Sequence, residues 1–137
     1  MQNLLATSEK KHWMLVDDNV DILEMMSSLV ENLTGAEVER FNSPAAGLAA
    51  FADAPEKYEV VITDFEMPGM DGVELCRQLL ALAPAQKIIL ATGSGFFTEA
   101  AARRAGFSGQ LNKPFPIETL RATLAEAGVE LDLLAHA

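Results

Sequence analysis

Hydrophobic positions along the chain repeat with two different periods, and the two periods alternate. Short runs of β-branched or bulky apolar residues recur at 12–16, 36–41, 58–63, 87–91 and 109–112. Each run is bounded by polar, Gly or Pro positions, which predicts strands. Between the first two, Ile22, Met25, Met26, Leu29, Val30 and Leu33 fall at i, i+3, i+4, i+7, i+8 and i+11. That spacing predicts a helix with these six residues facing the core, the two methionines as filler. Asn19 or Asp18 stands where it can cap the helix, and Gly35 stands where a terminating glycine belongs.

The later helices carry similar signals. Ser43-Pro44 is an N-cap followed by a first-turn proline, and the helix it opens runs to about residue 52 with Leu48 and Phe51 facing in. Residues 72–83 place Val73, Cys76, Leu79 and Leu80 on one face, and Pro84 ends that helix. An alanine-rich helix over 98–105 stops at Gly106, and a final helix marked by Ile117, Leu120 and Leu124 stops at Gly128. Five strands alternating with five helices predict an α/β fold, a doubly wound parallel sheet with helices on both faces. Residues 12–127 carry the whole pattern, while 1–11 and 128–137 read as tails.

Composition narrows the function. The chain has 137 residues, half of them hydrophobic, and a formal net charge of −10. One domain with a sizeable core fits that length. Direct nucleic-acid binding needs a basic face, which this charge does not provide. The single cysteine, Cys76, cannot form an intrachain disulfide and reads as a core residue in a reducing compartment. No apolar run approaches the ~20 residues of a membrane helix, and the N-terminus has no apolar signal core. The expectation is a cytoplasmic protein with no membrane partner.

The chemistry gathers at strand ends. The first strand exits into Asp17-Asp18, the third into Asp64, the fourth into Thr92 and the fifth into Lys113. In a parallel sheet these ends open on one side, the side where ligands bind. If the four strands are neighbours, the groups converge. Three carboxylates in one pocket repel one another, and one lysine cannot neutralise them. A hard divalent cation such as Mg²⁺ can. Carboxylate, Mg²⁺, hydroxyl and lysine are the parts that phosphoryl transfer to a carboxylate needs.

Val16-Asp17-Asp18-Asn19, Asp64-Phe65-Glu66-Met67-Pro68-Gly69-Met70-Asp71-Gly72, Thr92-Gly93 and Lys113-Pro114-Phe115 occur in this order, each at a strand end. Together they resemble the CheY-like receiver domain of two-component response regulators. The resemblance implies the flavodoxin-like strand order 2-1-3-4-5. It implies that Asp64 accepts a phosphoryl group from a histidine kinase or phosphotransfer protein. It implies Mg²⁺ bound by Asp18, Asp64 and the Glu66 backbone carbonyl, with Asp17 acting through a metal-bound water. Thr92 would hydrogen-bond the phosphoryl group, Lys113 would ion-pair with it, and the Lys113-Pro114 bond would be cis. Such a domain catalyses only its own phosphorylation and dephosphorylation, and it signals by switching a surface that a downstream protein reads.

One position departs from the family pattern. Gln110 stands three residues before the lysine, where the family usually carries Tyr or Phe as a rotameric switch. Signal transfer is then expected to run through Thr92 and the Gly93-Ser94-Gly95 turn. With no output pattern after residue 128, the expected setting is a stand-alone regulator or the receiver segment of a hybrid kinase. Two alternatives are an Mg²⁺-dependent aspartyl-phosphate hydrolase and a pseudo-receiver that binds proteins without phosphorylation. The hydrolase pattern places its nucleophile after the first strand and adds a cap insertion, for which this chain has no room.

Overall fold

Among the described residues, strand and helix alternate through ten elements: β1 (His12–Val16), α1 (Val20–Thr34), β2 (Glu37–Phe41), α2 (Pro44–Asp53), β3 (Tyr58–Asp64), α3 (Gly72–Leu82), β4 (Lys87–Thr92), α4 (Glu99–Arg104), β5 (Gly109–Asn112) and α5 (Ile117–Glu126). The structure, a computed structural model, describes residues 11–93 and 98–129. All five strands are parallel, in the order β2-β1-β3-β4-β5. This is the flavodoxin-like order expected from the sequence. It brings the ends of β1, β3, β4 and β5 side by side.

The sheet separates two apolar layers, and the strands feed both because side chains alternate between faces. Trp13, Leu15, Val60, Ile62 and Ile89 pack toward α1 and α5, against Met26, Leu120 and Leu124. Met14, Val16, Val61, Ile88 and Leu90 pack toward α2, α3 and α4, against Phe51, Leu75, Leu79 and Ala102. With both faces covered, the central strand β3 is apolar almost throughout: Val60, Val61 and Ile62 are all fully buried.

Local signals set the helix ends. Asn19 caps α1 by accepting from the Ile22 N–H, and Gly35 ends it with φ 72°. Ser43 caps α2 ahead of Pro44, Asp71 caps α3, and Thr98 caps α4. The buried face of α1 lies one residue round from the expected one. Leu23, Met26, Ser27, Val30 and Leu33 are buried, Ile22 and Leu29 pack at the margin, and Met25 is 43% exposed. Ser27 tolerates burial because its hydroxyl donates to the Leu23 carbonyl at 2.7 Å, so a polar letter concealed a core position. On α3, Leu75 joins Cys76 and Leu79 in the core, with Val73 and Leu80 at its margin.

Away from the strand ends that carry the acids, Glu39 ties the edge strand β2 to β3 across β1. Its Oε1 accepts from the Tyr58 hydroxyl at 2.8 Å and its Oε2 pairs with Lys57 at 2.6 Å. Burial raises the Glu39 pKa, but the hydrogen bonds from Lys57 and Tyr58 outweigh it and hold the carboxyl below its ordinary value. A carboxylate with a depressed folded pKa stabilises above its unfolded pKa, and that stability is lost as pH falls through the folded value. Glu39→Gln should therefore cost about 1 kcal/mol at neutral pH, the half-exposed Lys57 limiting the loss. In thermal melts the gap between variant and wild type should narrow as pH falls below the ordinary glutamate range and close beneath the lowered folded value. A gap that stays constant with pH would show that the charge of Glu39 is not what matters.

Candidate functional site

Each acid arrives at the site at or just past the end of a buried strand. Asp17 follows β1, where its N–H donates to the Phe41 carbonyl of β2 at 3.1 Å. Its side chain is fully buried. Oδ1 accepts from the Asn19 N–H at 2.9 Å, and Oδ2 accepts from Lys113 Nζ at 2.9 Å. Asn19 thus does two things: its side chain caps α1 and its backbone orients Asp17. Asp18 next to it is exposed on the rim. Asp64, the last residue of β3, is 8% exposed. Its Oδ1 accepts from the Phe65 N–H at 2.9 Å and from Lys113 Nζ at 3.1 Å. Among the described residues no hydrogen bond reaches its Oδ2.

Lys113 is placed by β4 and β5 together. It follows β5, and its backbone N–H donates to the Thr92 carbonyl at the end of β4 at 2.8 Å. Its peptide bond to Pro114 is cis. Its ammonium lies between Asp17 and Asp64 with a side chain only 13% exposed. Thr92 is buried at the next strand end. Glu66 is exposed and lines an open groove of about 460 Å³ with Asp18, Phe65, Met67, Pro68 and Asp71. Ser94 and Gly95 of the expected switching turn lie outside the described residues.

The charges do not balance. Asp17, Asp18 and Asp64 each offer an oxygen within 4.8 Å of the others, facing one lysine. Burial and the neighbouring Asp17 charge push the Asp64 pKa up, and Lys113 and the Phe65 N–H recover only part of that. Burial alone would lower the Lys113 pKa, but the two carboxylates raise it. The ammonium is therefore held charged between two acids that still repel each other. A cluster of hard oxygen donors with uncompensated negative charge suits a divalent cation of the Mg²⁺ type.

Sequence reasoning did not find two groups that shape this site. The backbone N–H of Phe65 carries no side-chain signal. Gly72 appears in the loop motif, but its reason is visible only in three dimensions: its Cα lies against the Asp64 carbonyl, and its N–H donates to the Phe65 carbonyl at 2.8 Å. Gln110 sits on β5 opposite Leu90 and lines a surface groove with Asn112, Phe115 and Glu118.

Comparison with known proteins is consistent with this geometry. The family model described as "response regulator receiver domain" matches residues 14–125. The C4-dicarboxylate transport transcriptional regulatory protein DctD of Rhizobium meliloti is 37% identical over 107 residues, 77% of this chain and 23% of that protein. The transcriptional regulatory protein FixJ of Azorhizobium caulinodans is 33% identical over 126 residues, 86% of this chain and 58% of that protein. The chain thus spans from under a quarter to a little over half of these two relatives. Among solved structures, a response regulator receiver domain protein from Clostridium thermocellum superposes with a TM-score of 0.77 at 28% identity, over 85% of this chain and 93% of that one. The chemotaxis protein CheY4 of Vibrio cholerae superposes with a TM-score of 0.75 at 28% identity, over 87% of this chain and 99% of that one.

Proposed function

The chain belongs to the response regulator receiver domain family, and from that premise we propose that Asp64 accepts a phosphoryl group from the histidine of a sensor kinase or phosphotransfer protein. The observation that carries this reading is the unequal treatment of the two Asp64 oxygens. Oδ1 is held by the Phe65 N–H and Lys113, and Oδ2 accepts no hydrogen bond among the described residues. Oδ2 attacks phosphorus in line, the P–N bond of phosphohistidine breaks, and imidazole leaves with the electron pair. The product is an acyl phosphate on Asp64.

The remaining residues take roles around that step. Asp18, Asp64 and the Glu66 carbonyl would hold Mg²⁺, with Asp17 contributing through a bound water. Bound Mg²⁺ supplies positive charge that offsets the phosphoryl oxygens. Lys113, already charged and placed between Asp17 and Asp64, pairs with a phosphoryl oxygen as the Asp64 charge passes to the new group. The Thr92 hydroxyl donates to another. On this reading the chain turns over no separate substrate and works in the cytoplasm by changing what a downstream protein can bind. Among the described residues no helix is long and apolar enough to cross a membrane.

Incubation of the wild-type protein with acetyl phosphate and Mg²⁺ should add one base-labile phosphoryl group, and excess EDTA should prevent it. An intact mass that never rises, at any donor concentration, would overturn the reading.

A further inference from the structure

The backbone that holds the Asp64 carboxylate is itself held by a hydroxyl that has no part in the chemistry above. Thr63 is fully buried in β3, directly after the apolar Val60, Val61 and Ile62. A hydroxyl is costly to bury unless it is hydrogen-bonded. Thr63 Oγ1 donates to the carbonyl oxygen of Asp64 at 2.9 Å. That carbonyl and the Phe65 N–H belong to one peptide unit, which is planar and rigid. The Phe65 N–H in turn donates to Asp64 Oδ1 at 2.9 Å. Fixing the carbonyl at one edge of the planar unit therefore fixes the N–H at the opposite edge. Gly72 closes the arrangement, its bare Cα lying against the same Asp64 carbonyl.

We propose that Thr63 is a positioning residue for phosphoryl acceptance: its hydroxyl sets the plane of the Asp64–Phe65 peptide, and that plane holds Oδ1 so that Oδ2 faces the incoming phosphorus. The inference rests on Asp64 being the phosphoacceptor and adds a residue that touches neither the phosphoryl group nor the cation site. Valine would fill the space of Thr63 without the donor, and serine would keep the donor without the methyl.

The test compares wild type, Thr63→Val and Thr63→Ser, with phosphoramidate and Mg²⁺ as donor system and Asp64 labelling as readout. Small misplacements of a reacting group are amplified in rate, so Thr63→Val should lower the maximal labelling rate about tenfold. The half-saturating donor concentration should change by less than about twofold, as for a group that acts on the transition state. Thr63→Ser should restore the rate. The Phe65 amide proton should move upfield in Thr63→Val and not in Thr63→Ser, because its carboxylate acceptor is misaligned only in the former. A wild-type maximal rate in Thr63→Val, or a Thr63→Ser rate as low as that of valine, overturns the proposal. If the wild type itself takes no label, the phosphoacceptor reading falls. The Phe65 amide proton then decides whether Thr63 sets the peptide plane, and its staying in place in Thr63→Val overturns the proposal.

Discussion

Asp64→Asn should take up no detectable phosphoryl group from acetyl phosphate and Mg²⁺, a loss of about a thousandfold or more. The substitution keeps the shape of the side chain, and an amide oxygen can still accept from the Phe65 N–H. It removes the anionic oxygen that attacks phosphorus. Lys113 keeps its bond to Asp17 Oδ2, so its position survives the change. The loss should come without a loss of stability. Burial and the Asp17 charge raise the folded pKa of Asp64 above its ordinary value. A group with a raised folded pKa stabilises the fold below its unfolded pKa, and that contribution is lost as pH rises through the folded value. At neutral pH the Asp64 charge is therefore a net cost, and Asp64→Asn should melt at the wild-type temperature or above it. The advantage should shrink as pH falls into the ordinary carboxylate range. Labelling of the variant at the wild-type rate would move the phosphoacceptor elsewhere, and a strongly lowered melting temperature would mean that the carboxylate holds the fold together.

Gly72→Ala should damage both the fold and the site, because the added methyl runs into backbone. A Cβ at residue 72 would meet the Asp64 carbonyl oxygen far inside the 3.0 Å that real Cβ atoms respect, with Phe65 Cα at 3.1 Å and Asp64 C at 3.2 Å. All three are backbone atoms, so no side chain can swing aside. Overpacking of this kind costs about 1–3 kcal/mol, and rigid neighbours put this case at the upper end. The atom displaced is the carbonyl of the phosphoacceptor itself, so Asp64 labelling should fall along with stability. Gly69→Ala is the internal control. Gly69 has φ 87° and nothing within 4 Å of its missing Cβ. Its cost is backbone strain of about 1–2 kcal/mol, with Asp64 labelling retained. Equal labelling in the two variants would separate the Gly72 contact from phosphoryl acceptance.

The two glycines show where sequence reading stops. Gly69 stands in the loop after β3 and Gly72 opens α3 three residues on, yet one is needed for its dihedral and the other for space. The difference depends on what chain segment lies opposite, which is a tertiary fact. α1 makes the same point. Its period was legible, but a slip of one residue in the buried face exposed Met25 and buried Leu23 and Ser27. An amphipathic pattern gives a helix its stripe only to within one position, and Ser27 could enter the core because a carbonyl four residues back accepts its hydroxyl.

By itself the sequence determined the alternation of strands and helices, the Ser43 cap, an α1 cap at Asn19 or Asp18, and the delivery of Asp17, Asp18, Asp64, Thr92 and Lys113 to strand ends. These are local properties, set by side-chain period and by which residues can satisfy a helix terminus. The tertiary structure alone decided which oxygen of Asp64 is held and which is open, that Lys113 spans two acids from β1 and β3, and that Thr63 and Gly72 bracket one peptide plane. Those facts involve backbone groups and contacts between segments distant in the chain. Backbone N–H and C=O are the same at every residue but proline, so only folding distinguishes one from another.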